Sequence, residues 1–221
     1  FNLAHMKNVD DLIASAAELA ERGLSKGEIA DELNVSRETA SWLVDRGGTG
    51  ESTAEPEPPG ATDAGGGPHD IHVDWSAVGR DSQRLTQVGR AMADLLSKEG
   101  EAVDLTIGIE KAGAPLATVV SQELDTDLGS YAPAKHQWDD NNIDDLGGSF
   151  SRNFAGIRDR ECYVVDDIVT SGTTMGETID AIREEGGHPV ACVVIVDKQG
   201  IESIEDVPVY SLIDVVRVGD D

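Results

Sequence analysis

The chain has 221 residues, enough for one or two domains with a sizeable core. Seventeen basic residues face 43 acidic ones, a net charge of −26, and only six of the basic residues are Lys. No apolar run approaches the roughly 18 residues that a membrane-spanning helix needs, so an integral membrane protein is excluded and no membrane partner is expected. In dilute buffer such a chain repels itself and nucleic acid. At molar salt the Debye length falls to about 3 Å and the repulsion is screened. Acid spread through every segment therefore points to a halophilic, salt-rich cytoplasm.

The opening Phe1-Asn2-Leu3-Ala4-His5, before Met6, reads as an expression scar (residues 1–5). It carries no charged, apolar and cleavage regions of a secretion signal, so a cytoplasmic protein is expected. Cys162 and Cys192 lie in apolar runs 30 residues apart with no metal-ligand spacing, which suits buried thiols in a reducing compartment.

Residues 6–46 show three helical patterns. Val9, Leu12, Ile13, Ala16, Leu19 and Ala20 recur at helical spacing up to Gly23. Ser25-Lys26-Gly27-Glu28 is a capping-box start, followed by Ile29, Ala30 and Leu33 on one face. Asn34-Val35 makes a turn, and Ser36 caps a third helix from Arg37 to about Arg46, with Ala40, Leu43 and Val44 inward. Helix, short turn and helix, with the small Ala30 at the crossing, predict a helix-turn-helix. Arg37, Glu38, Ser41 and Trp42 then face outward from the third helix as DNA-binding candidates. A three-helix docking module is the other reading, and the head's own charge favours it mildly.

Residues 47–70 hold seven glycines, four prolines and no large apolar residue, so a flexible linker is expected. Residues 71–221 alternate apolar strands with amphipathic helices. Helices are predicted over 85–96, 115–124 and 175–185, and strands over 103–109, 162–165, 190–196 and 209–216. This alternation predicts an α/β fold with a mostly parallel sheet, whose ligands bind at the carboxyl ends of the strands.

The sharpest signal is Val164-Val165-Asp166-Asp167-Ile168-Val169-Thr170-Ser171-Gly172-Thr173-Thr174. An apolar strand delivers two carboxylates, and a turn of hydroxyls around one glycine opens a helix. Successive N–H groups at such a helix start form an anion nest, to which the helix dipole adds. Thr170, Ser171, Gly172, Thr173 and Thr174 are the predicted phosphate-binding residues. Asp166 and Asp167 are placed to accept hydrogen bonds from neighbouring ligand hydroxyls, which describes a sugar phosphate. No Gly-Lys-Ser/Thr follows, so this is not a Walker A loop.

These residues match the phosphoribosyl-pyrophosphate signature of the type I phosphoribosyltransferases, which the chain resembles over most of 75–217. Residues 108–116 resemble that family's diphosphate loop, and 197–200 and 207–212 resemble the tail of orotate phosphoribosyltransferase. The resemblance implies that Glu110, Lys111, Ala112 and Gly113 form a second anion-binding loop. It also implies a dimer, and two heads would then read half-sites about 34 Å apart. From Met6 onward the chain is similar to haloarchaeal regulators of glucose and fructose catabolism, of the GfcR type.

Two departures from the transferases set the functional expectation. The hood that helps enclose the base is replaced by the helical head and linker. The stretch 136–151, where the family closes a basic mobile loop, has no Lys or Arg. Diphosphate departure needs positive charge where negative charge develops, and Asp139, Asp140, Asp144 and Asp145 oppose it. No catalytic residue and no metal ligand are therefore assigned. No cofactor is required, though Mg²⁺ can accompany a diphosphate ligand, whose own oxygens largely hold the ion in that family. The expected function is an activator of sugar-catabolism genes, binding promoter DNA and a sugar-phosphate effector. Candidate effectors are 2-keto-3-deoxy-6-phosphogluconate and phosphoribosyl pyrophosphate. The alternatives are an active orotate- or purine-type phosphoribosyltransferase with a docking head, or a scaffold that binds no ligand.

Overall fold

The computed structural model describes residues 9–47, 71–133 and 148–216. The predicted scar, nearly all of the linker and most of the acidic 136–151 stretch lie outside them. The chain divides into two compact units, Phe1–Asp74 and Trp75–Asp221.

The first unit holds α1 (Val9–Glu21), α2 (Lys26–Leu33) and α3 (Arg37–Gly47). The capping box is present: Ser25 accepts from the Glu28 N–H, and Glu28 accepts from the Ser25 N–H at 2.7 Å. Ser36 Oγ accepts from the Thr39 N–H at 3.2 Å and so caps α3. Asn34 takes the left-handed conformation, φ 53°, that ends α2. Leu12, Ala16, Leu19, Ile29, Ala30, Leu33, Ala40 and Leu43 form the core, so the helical periodicity corresponds to the buried face. Val44 is only half-buried against it.

The second unit opens with the short α4 (Ser76–Gly79) and the long α5 (Ser82–Glu99), whose N-cap Asp81 accepts from the Gln83 and Arg84 N–H groups. Then follow β1 (Leu105–Ile109), α6 (Gly113–Leu124), β2 (Asp127–Ala132), β3 (Ser149–Phe150), β4 (Glu161–Val165), β5 (Ile168–Val169), α7 (Thr173–Glu184), β6 (His188–Asp197), β7 (Ser203–Ile204) and β8 (Val207–Asp214). Strand order is β3-β2-β1-β4-β6-β8-β7, with β5 also on β6. The pairs from β2 through β8 are parallel, and the two-residue β3 and β7 close antiparallel on β2 and β8.

The α/β expectation is met. The structure adds β2, β3, β5 and β7, and α6 and α7 each begin two residues earlier than predicted. Beyond β3, the Ser151 and Ala155 N–H groups donate to the Ser130 and Leu128 carbonyls at 3.0 Å, continuing along β2 where β3 stops. Residues 149–151, grouped with the mobile-loop stretch 136–151 from sequence, thus belong to the sheet edge.

Leu105, Ile107, Ile109, Val164, Cys192 and Val194 fill the sheet's core with Met175, Ile179 and Ile182 of α7. Helix α5 packs tightly on α6, because a Cβ on Gly89 would stand 2.7 Å from Val119 Cβ. Among the described residues no helix is long and apolar enough to cross a membrane.

Candidate functional site

Strands β1 and β4 are parallel neighbours from which the chain departs in opposite directions across the sheet, β1 to β2 and β4 toward β6. A crevice at the carboxyl ends of such strands is where open α/β sheets place their ligands. The two loops singled out from sequence follow these two strands. Gly113 brings them together, because a Cβ there would collide with the Val165 carbonyl and lie 3.0 Å from Asp166 Cα. Only a residue without a side chain lets the start of α6 rest on the end of β4.

Gly172 stands at the N-terminus of α7 with φ 77°, a left-handed conformation that glycine adopts without strain. Ser171 Oγ and Thr173 Oγ1 lie 2.9 Å apart, and the Thr173 N–H approaches Ser171 Oγ at 3.4 Å. Ser171 and Thr173 are exposed, while Thr170, Gly172 and Thr174 are half-buried. The turn thus offers hydroxyls and helix-start N–H groups around one glycine, which suits a phosphate.

The two aspartates differ. Asp166 is half-buried, and its Oδ1 accepts from the Asp167 N–H at 2.9 Å. Asp167 is buried, its carbonyl accepts from the Ile195 and Val196 N–H groups, and its Oδ2 accepts from the Trp75 indole N–H at 2.7 Å. Burial pushes the Asp167 carboxyl above its ordinary value, while hydrogen bonds with Asp166, Trp75 and backbone N–H groups pull it back.

In the neighbouring loop the Glu110 carboxylate accepts from Ser130 Oγ at 2.6 Å, which turns it toward β2. The Glu110–Lys111 peptide is cis. Lys111 is exposed, and Ala112 is the N-cap of α6. Lys198, within the 197–200 segment, is buried at the end of β6, and its backbone N–H donates to the Val169 carbonyl at 3.1 Å. It lines a cavity of about 380 Å³ with Gln199, Gly200, Val215 and Val216. Among the described residues no group of three His, Cys, Asp or Glu side chains is gathered for a metal ion.

On the head, Arg37 and Glu38 are exposed as expected. Ser41 and Trp42 are half-buried. Ser41 Oγ accepts from Lys26 Nζ at 2.6 Å, and Lys26 also pairs with Asp45 at 3.3 Å. Trp42 packs against the helical core, with the Arg46 guanidinium 5.1 Å from its ring centroid. Sequence reasoning missed Lys26 and Trp75. Lys26 appeared only as part of a cap, and Trp75 meets its partner 92 residues away.

The family model of the phosphoribosyl transferase domain matches residues 74–219. The chain is 76% identical over 216 residues to "Transcriptional regulator GfcR" of Haloquadratum walsbyi, covering 98% of this chain and 96% of that protein. To the protein of the same name from Haloarcula marismortui it is 72% identical, covering 98% and 99%. The orotate phosphoribosyltransferase of Mycobacterium tuberculosis H37Rv, solved in complex with inorganic phosphate, superposes with a TM-score of 0.52 at 18% identity, over 66% of this chain and 81% of that one, and so shares the fold. The chain belongs to the phosphoribosyl transferase domain family, in the group of the GfcR regulators.

Proposed function

We propose that the chain is a DNA-binding transcription regulator, an activator of sugar-catabolism genes, whose α/β unit senses a sugar phosphate. The observation that carries this is the junction of two loops at the ends of β1 and β4. One is a hydroxyl-rich phosphate turn opened by left-handed Gly172, with Asp166 and Asp167 ahead of it; the other is the 110–113 turn, held against it through Gly113. A phosphate would sit in Thr170–Thr174 and neighbouring hydroxyls at the aspartates. A carboxylate or diphosphate would face Lys111. Both 2-keto-3-deoxy-6-phosphogluconate and phosphoribosyl pyrophosphate have this order of groups, and the former suits control of sugar degradation better. The three-helix head, read as a helix-turn-helix, presents Arg37 and Glu38 to the major groove, and pairing into a homodimer supplies two heads. The regulator names of the relatives at 72–76% identity support the DNA partner.

The test is a mobility-shift titration of the full chain on promoter DNA at high KCl, with each candidate effector present or absent. A sequence-selective complex whose affinity moves several-fold with one of them is the expected result. No selective complex, or none that responds, defeats the proposal. Robust turnover of phosphoribosyl pyrophosphate with any base would replace it by a transferase.

A further inference from the structure

Two adjacent aspartates of one loop differ in burial, and Trp75 bonds the buried one. That tryptophan is the first residue of the α/β unit, immediately ahead of α4. Its backbone carbonyl accepts from the Val78 and Gly79 N–H groups at 2.8 and 3.1 Å, which winds α4. Its ring lies against Gly79, where a Cβ would come within 2.8 Å of ring carbon Cζ3. Arg84 donates from α5 to the Ala77 carbonyl and fixes the turn from the other side. From this seat the indole N–H, a group that can only donate, points to the buried Asp167 carboxylate.

We propose that Trp75 is a positioning residue of the effector site: by holding Asp167 it leaves ligand hydroxyls chiefly to Asp166, and it ties occupancy of the 166–174 loop to the segment by which the chain enters the α/β unit. This rests on the reading of that loop as a sugar-phosphate site. A buried carboxylate deprived of a donor must find another or rearrange. Without the indole, the Asp167 carboxyl turns, and Asp166, whose side chain hydrogen-bonds that carboxyl, turns with it. Coupling is reciprocal: a ligand that needs this arrangement must in turn tighten the indole bond. Phosphate alone, seated in the 170–174 turn, makes no such demand.

The experiment uses the full chain at molar KCl, with inorganic phosphate, phosphoribosyl pyrophosphate and 2-keto-3-deoxy-6-phosphogluconate as probes. Calorimetry on Trp75→Phe, which keeps an aromatic ring and removes the N–H, should show affinity for the sugar phosphate falling about tenfold. Affinity for inorganic phosphate should change less than twofold. In the unmutated protein, hydrogen exchange of the Trp75 indole N–H, followed by ¹⁵N NMR, should slow at least several-fold on saturation with the sugar phosphate, while that of Trp42 stays unchanged. An indole whose exchange is indifferent to saturating sugar phosphate overturns the proposal whatever the variant does. Equal losses for inorganic phosphate and sugar phosphate also overturn it, because they would mark Trp75 as structural only. A wild-type protein that binds none of the three probes defeats the site itself, a distinct result.

Discussion

The loop after β4 and the loop after β1 are neighbours at one end of the sheet, yet their polar groups are committed differently. After β4, Gly172 gives a left-handed turn and the hydroxyls of Ser171 and Thr173 remain exposed. After β1, the Glu110 carboxylate is engaged by Ser130, and exposed Lys111 supplies the charge. The first loop has backbone geometry suited to one shape of ligand group. The second offers an exposed cation open to any anion. Proximity therefore does not make the two loops equivalent, and on the proposed function specificity should reside in the β4 loop.

Four substitutions break or sharpen that contrast. Gly172→Val should have the largest effect, since a β-branched residue at φ 77° is strained whatever space surrounds it. Calorimetry should detect no sugar-phosphate binding, a loss beyond about 100-fold if the nest supplies most of the affinity. Asp166→Asn should weaken the sugar phosphate by roughly tenfold through a lost charge-assisted bond, and inorganic phosphate hardly at all. Lys111→Met should cost only about two- to fivefold, as expected for an exposed ion pair, and that cost should shrink further with added salt. A Lys111 effect larger than that of Gly172 would reverse the comparison.

Asp167→Asn is the smallest and has the opposite sign for stability. Because burial raises the folded carboxyl above its ordinary 3.8, the group's contribution to stability is full below that value and is lost as pH rises through the folded value. An uncharged amide that can still accept from Trp75 avoids this loss. The variant should melt higher near neutral pH and match wild type in strong acid, as followed by circular dichroism. A variant that melts lower at neutral pH would show that the charge of Asp167 stabilises the loop.

Much of this was legible in the sequence where local chemistry dictates structure. Ser25 and Glu28 announce a helix start because their bonds span only three residues. The Val164–Thr174 stretch announces a strand, a glycine turn and a helix start for the same reason. Strand β2, Asp-Leu-Gly-Ser-Tyr-Ala, escaped because it has no apolar run; its burial comes from neighbours on the sheet. The two-residue strands β3, β5 and β7 exist only as partners of longer ones. The different surroundings of Asp166 and Asp167 were not legible, because the fold alone brings Trp75 to Asp167, 92 residues away. On the head, the outward positions of Arg37 and Glu38 follow from helical spacing, whereas the grip of Lys26 on Ser41 depends on how α2 and α3 cross.

The seal along β2 has a consequence for solubility. An open strand edge is a template for pairing with another chain. A net charge of −26 would keep copies apart in dilute buffer, but at molar salt its reach is only about 3 Å. Hydrogen bonds from Ser151 and Ala155 to Ser130 and Leu128 occupy carbonyls of that edge directly. Such protection is short-ranged and built from neutral groups, so ionic strength leaves it intact where charge repulsion fades.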